Sequence, residues 1–206
     1  MSACKIDFEA ERKRLTDIFL ESVSNDRFFQ LAQGIVKDDR HTTGPRYLVG
    51  SFIYRKLIKL LHNPDLVEPK EINYLVSKHK SKDTFILPEQ WNVKHNKGRP
   101  YISSNDGRKV TVSTLSSFHF IRDDQRGENI GNYLGYVPFN INAIAFDLQS
   151  NRIIGKSGIE AISERILRIS NMDAVKHYIK KNNIDDIDRH LREKAESLGF
   201  RYVETS

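Results

Sequence analysis

The chain has 206 residues, 38% of them hydrophobic and 29% charged, which is enough to bury a core in one domain or in a domain with a small appendage. It has no run of about 18 apolar residues, its N-terminus is charged instead of opening into an apolar signal core, and its single cysteine, Cys4, has no companion for a disulfide or a zinc site. These features predict a soluble, cytoplasmic protein with no membrane attachment. The net charge of +6 is local: residues 51 to 110 carry 12 Lys and Arg against 6 Asp and Glu, while the rest balances at 21 against 21. Such an excess suits phosphate or nucleic acid; the alternative is an ordinary solvated basic surface.

The first 37 residues show helical periodicity, with Leu15, Ile18 and Phe19 on one side, then Phe28, Phe29, Ala32, Ile35 and Val36 after a start signal at Ser24-Asn25-Asp26. Two helices are expected there, and Asp38 to Pro45 reads as a loop. Arg46 to Val49 is a short buried strand closed by Gly50-Ser51, and a helix follows from Phe52 to His62. Ile72, Tyr74, Leu75 and Val76 predict a second strand, and Thr84 to Leu87 a third. Arg99 to Ser103 and Lys109 to Leu115 predict a hairpin around Asn105-Asp106-Gly107.

Residues 122 to 132 read as a polar loop, and Phe139 to Leu148 as a buried apolar run that turns at Gln149-Ser150-Asn151 into a short strand at Ile153-Ile154. From Gly158 onward the pattern is helical, over IEAISERILRI, NMDAVKHYIKKN and DDIDRHLREKAESLGF. The expected class is α+β, with a mixed sheet in the middle and helices at both ends.

Three ordered segments carry a resemblance. Tyr47 to Ile53 (YLVGSFI) is similar to a strand and turn of the form Y-L-V-G-G-x-V. Phe139 to Asp147 (FNINAIAFD) is similar to F-T-I-N-A-L-A-Y-D, and the likeness continues through Ile153-Ile154 to Gly158-Ile159-Glu160 and Arg165 to Arg168. Asp185 to Arg192 (DDIDRHLR) matches E-D-x-x-R-x-x-R and is followed by Leu198-Gly199-Phe200. Over roughly residues 45 to 205 the chain thus resembles the head and first neck helix of tRNA nucleotidyltransferases (CCA-adding enzymes) and bacterial poly(A) polymerases.

The resemblance implies a polymerase β-like nucleotidyltransferase head over 46–157, N-terminal helices and a loop over 1–45, and a helical neck fragment over 158–206. Family members continue into a long helical body. A neck without that body would leave apolar surface for a protein partner or for a self-dimer.

Nucleotidyl transfer in this family needs metal ions clamped between carboxylates, supplied by a D-x-D pair on the strand after the glycine turn. The aligned stretch here is Pro69-Lys70-Glu71-Ile72-Asn73, and Thr111 stands where many members of the wider fold carry a third Asp. The family's charged segment before the buried hairpin is replaced by Tyr136-Val137-Pro138, and the Arg-Asp after its turn reads Tyr54-Arg55. Glu71 is therefore the remaining catalytic candidate, with Asn73 and Thr111 as degenerate partners. The cofactor is expected to be none, or a Mg²⁺ held by Glu71 alone; Asp65, Glu68 and Asp147 are the other carboxylates in reach, Asp147 more simply as a turn cap.

Gly50 and Ser51 at the turn, with Asp186, Arg189 and Arg192 on one helix face, are the nucleotide-binding candidates that the resemblance implies; ordinary surface charge pairs are the alternative for the last three. Lys94, Lys97 and Arg99, with Trp91, interleave cation and aromatic as single-stranded nucleic acid requires, although Trp91 also suits a loop anchor. The expected function is that of a pseudoenzyme on a nucleotidyltransferase scaffold, RNA-binding or nucleotide-binding or holding a protein partner. The alternative is an active metal-dependent transferase that adds nucleotides to RNA or another acceptor.

Overall fold

The computed structural model describes residues 7–37, 42–79, 87–96, 99–118, 120–121 and 127–204. Helix α1 (Phe8–Ser24) starts where the Asp7 carboxylate accepts from the backbone N–H of Glu9 and Ala10, at 3.1 and 3.2 Å. Helix α2 (Arg27–Lys37) is capped in the same way, Asp26 accepting from the Phe29 N–H at 3.0 Å. The Asp26 carboxylate also pairs with Lys56 at 2.8 Å, and Lys56 in turn reaches Glu68 at 3.0 Å.

Burial pushes the Asp26 carboxyl up, but the hydrogen bonds from Lys56 and from the Phe29 and Phe28 N–H groups outweigh it and hold its pKa below the usual carboxylate range. A carboxyl with a lowered folded-state pKa contributes stability above its unfolded value and loses it as the pH falls through the folded value. Asp26→Asn keeps a capping side chain and removes the charge. Its stability deficit should be fully present above about pH 4 and close in more acidic solution, as urea titrations at several pH values would record.

Strand β1 (Thr42–Val49) leads through Gly50 into α3 (Ser51–Leu61), which returns to β2 (Glu71–His79). Gly50 has φ 85°, backbone that side chains rarely adopt, so the turn needs glycine. The strands β1 and β2 are antiparallel neighbours, Val49 facing Asn73, and the helix between them links adjacent strands as the sequence predicts. Next come β3 (Trp91–Asn96), β4 (Arg99–Ser104) and β5 (Lys109–Thr114), the last two forming the predicted hairpin. The strand β5 then pairs with β2 in parallel, Glu71 beside Lys109 and Asn73 beside Thr111.

After a 3-10 turn at Leu115–Ser117 come α4 (Ile130–Gly135), a second 3-10 turn at Asn140–Asn142, and the short hairpin of β6 (Ala145–Asp147) and β7 (Arg152–Ile154). The chain closes with α5 (Lys156–Glu164), β8 (Ile166–Leu167), α6 (Met172–Asn182), α7 (Ile187–Leu198) and β9 (Arg201–Tyr202). Among the described residues the main sheet has seven strands in the order β3-β4-β5-β2-β1-β6-β7, mixed and α+β as expected.

Alternation assigns the two sheet faces. Ile72, Tyr74 and Val76 of β2 pack with Val110, Leu48, Phe146 and the helices in the main core. Residues of the opposite parity, Val49, Leu75 and Ala145, pack with Leu115 and Ile121 in a smaller cluster edged by Phe118, Phe120 and Tyr133.

Several expectations are corrected. Trp91, read as a loop residue, opens β3; its strand is polar and gives no apolar alternation. The polar loop over 122–132 runs into α4 at Ile130, whose start is capped by Asn129 accepting from the Asn132 N–H. The run from Phe139 is buried but bends through a 3-10 turn before its strand. The helical reading through Arg165 to Ile169 fails because Arg165 takes φ 56° and ends α5; Ile166 and Leu167 then pair in parallel with Arg201 and Tyr202. The expected strand over Thr84 to Leu87 lies outside the described residues, apart from Leu87, which is in no strand.

Asn140 explains part of the buried motif. It is 1% exposed, donates to the Ile166 carbonyl at 2.8 Å and accepts from the N–H of Ile141 and Arg168 at 3.0 and 2.9 Å, tying the 3-10 turn before β6 to the β8 segment. Gly158 is needed for close approach: a Cβ there would lie 2.6 Å from the Ala143 carbonyl oxygen.

Candidate functional site

The parallel pairing of β2 with β5 sets Glu71, Asn73, Thr111 and Lys109 side by side on the face opposite the main core. Gly50 closes one end of this row, and the row floors a cleft of about 450 Å³. Tyr101, Phe118 and Tyr133 wall it, and Lys181 reaches it from α6. At the turn Gly50 has no side chain with which to cap α3, so the first-turn N–H groups of that helix need another acceptor, such as water or an anion.

Thr111 donates its hydroxyl to Glu71 at 3.3 Å. The Lys109 ammonium lies 5.6 Å from the centre of the Tyr101 ring. Phe118 meets Tyr133 edge to face with centroids 5.1 Å apart, and burial pushes the Tyr133 hydroxyl up to about 12, keeping it a neutral donor.

The pair of metal ions that the sequence resemblance implies does not fit this donor set. Of the described residues lining the cleft, Glu71 alone carries a carboxylate, and no group of three or more His, Cys, Asp or Glu is placed to hold a metal among the described residues. Mg²⁺ takes oxygen donors and a two-metal site needs bridging charge; the Asn73 amide and the Thr111 hydroxyl offer neutral oxygens only, and the Lys109 ammonium beside Glu71 opposes a cation.

The other carboxylates that the sequence singles out do not line the cleft. Glu68 pairs with Lys56 and Lys59 at 3.0 and 3.2 Å. Asp147 caps its hairpin turn, accepting from the Gln149 N–H at 2.9 Å and from the Ser150 hydroxyl at 2.7 Å. Asp65 is exposed in the loop after α3 and does not line the cleft.

The remaining site candidates are spread out. Ser51 opens α3, directly behind the turn. Asp186 is the N-cap of α7, accepting from the Arg189 N–H at 2.9 Å. Arg189 pairs with Glu193 at 3.0 Å and Arg192 with Glu204 at 2.6 Å, both on the surface and neither lining the cleft. Trp91 stacks on Phe28 with centroids 6.1 Å apart, which makes it an anchor of β3 on the core. Lys94 is exposed on β3 opposite Tyr101; Arg99 opens β4, and Lys97 lies outside the described residues. Lys109 belongs to the basic stretch that the sequence shows over residues 51 to 110, whereas Lys181, Phe118 and Tyr133 enter the cleft from elements that no local pattern connects to it.

A strand, a glycine turn, a helix and an antiparallel return strand, with a parallel third strand, place the cleft over the turn. Among solved structures the chain is similar to a CCA-adding enzyme in complex with ATP, at 20% identity and a TM-score of 0.62, covering 92% of this chain and 43% of that one. It is similar to a complex of CCA-adding enzyme with CTP at 16% identity and a TM-score of 0.59, with coverage of 92% and 43%. The Thermotoga maritima CCA-adding enzyme bound to tRNA gives 19% identity, a TM-score of 0.58 and coverage of 94% and 42%. The chain therefore has the CCA-adding enzyme fold and spans less than half the length of these structures. No family model matches it, and no curated protein matches it in sequence.

Proposed function

We propose that this chain is a nucleotidyltransferase-fold protein that holds a nucleotide or an RNA end in its cleft and does not catalyse metal-dependent transfer. The observation that carries this reading is the register of β2 against β5, which sets an amide, Asn73, beside a hydroxyl, Thr111, and leaves Glu71 as the one carboxylate of the cleft. The similar structures include complexes with ATP, CTP and tRNA, which supports a nucleotide or RNA ligand for the shared fold.

Each missing metal ligand removes transition-state stabilisation worth several kcal/mol, so two missing ligands amount to several orders of magnitude in rate. Labelled CTP or ATP, incubated with tRNA and the protein in Mg²⁺ or Mn²⁺, should yield no incorporation above the protein-free control. Robust incorporation that disappears in Glu71→Ala would establish the active-transferase reading instead.

A further inference from the structure

We propose that the cleft takes the phosphate of a nucleobase-bearing ligand through lysine ammonium groups in place of a metal ion, an inference that rests on the binding function above. Lys109 stands beside Glu71 on the cleft floor, and Lys181 enters from α6. They bring two positive charges against one negative, and no described carboxylate forms an ion pair with either of them. A metal-dependent cleft has the reverse balance, with carboxylates that are neutralised only when the cation arrives. Here the positive charge is built into the chain, and a lysine is a sufficient point charge for phosphate.

The neutral groups suit the same ligand. Asn73 and Ser113 line the cleft with an amide and a hydroxyl that can donate to phosphate oxygens, beside Thr111, whose hydroxyl is donated to Glu71. Tyr101, Phe118 and Tyr133 offer aromatic surface for a base, which binds by stacking without regard to sequence. A Mg²⁺ ion would compete with Lys109 and Lys181 for the same oxygens. Mg²⁺ is therefore dispensable for binding and acts only as a screening salt.

The source of the phosphate, a free nucleotide or an RNA strand, is resolved by Lys94. It faces the same side of the sheet as Tyr101, its register partner, but lies beyond the residues that line the cleft. A mononucleotide seated over Asn73 and Thr111 ends before it, while an RNA strand continues past Tyr101 onto it.

Calorimetry on the full chain with ATP, CTP and a short single-stranded RNA, each in EDTA and in Mg²⁺, tests the proposal. Binding should persist in EDTA. Lys109→Gln and Lys181→Gln should each weaken it about tenfold, the effect of losing one charge-assisted contact. Lys176→Gln on the same helix, whose ammonium is paired with Asp173, should leave it unchanged. Unaltered circular dichroism and melting temperature would confirm that the variants are folded.

Lys94→Gln weakening RNA and sparing ATP and CTP identifies RNA as the ligand. Equal, unaltered affinities for all three in that variant identify the mononucleotide. Binding that appears in Mg²⁺ and vanishes in EDTA, or that ignores both Lys109→Gln and Lys181→Gln, overturns the lysine mechanism and leaves the binding function standing. Absence of binding to every ligand in both buffers overturns the binding function itself.

Discussion

Asn73→Asp combined with Thr111→Asp is expected to raise the affinity of the chain for Mn²⁺ on the order of 100-fold, about tenfold for each added carboxylate. The geometry behind this is local and simple. Residues 73 and 111 are direct partners in adjacent parallel strands, a separation of about 4.8 Å, and Glu71 lies on the same face within 3.3 Å of the Thr111 hydroxyl. Three carboxylates would then converge where one stands now, and like charges so placed repel until a cation joins them.

The double variant should consequently be less stable than the parent without metal and regain stability as Mn²⁺ is added, because an ion that binds the folded state alone stabilises it by mass action. Calorimetry and metal-dependent melting read both effects. An affinity no higher than that of the parent would mean that positions 73 and 111 do not converge on one site, against the β2–β5 register.

The parts of this fold legible in the sequence are those fixed by local chemistry. Val49-Gly50-Ser51 announces a strand, a positive-φ turn and a helix in consecutive residues, and Asn105-Asp106-Gly107 announces the β4–β5 turn. There Ser104 and Asp106 hydrogen-bond to each other, and Asp106 pairs with Arg108 at 3.1 Å. The parts that escape are joined by long-range pairing. Glu71 and Lys109 become neighbours only because β5 pairs with β2 in parallel. Lys181 reaches the cleft from a helix in the C-terminal third.

Strand β3 escapes for a different reason. Its residues, from Asn92 through Asn96, are mostly polar, and what fixes them is hydrogen bonding to β4 and the stacking of Trp91 on Phe28. Asp186 illustrates an ambiguity built into the sequence. An aspartate three residues before an arginine is both a pair on a helix face and a helix N-cap, and the Arg189 N–H takes the carboxylate for the cap.

Phe19→Ala should lower the free energy of unfolding by about 3–5 kcal/mol, the range for removing a fully buried aromatic ring. The reason lies in how α1 enters the core. Phe19 is 0% exposed. Its ring sits 5.0 Å from Phe146 in β6 and 6.0 Å from Phe29 in α2, and Phe29 in turn stacks on Phe52 of α3 at 5.9 Å. Ring pairs of this kind add about 0.5–1.5 kcal/mol beyond the area they bury.

The same helix supplies a polar contact, the Thr16 hydroxyl accepting from the Ile153 N–H of β7 at 3.0 Å. Thr16→Val would leave that buried N–H unpaired at a cost of about 1–3 kcal/mol. Were α1 a surface appendage, Phe19→Ala would change stability by about 0.5 kcal/mol or less. Urea titration at constant m-value separates the two cases. A loss near 4 kcal/mol, against a typical total of about 5–15 kcal/mol, would place Phe19 in the core that joins α1 to α2 and β6.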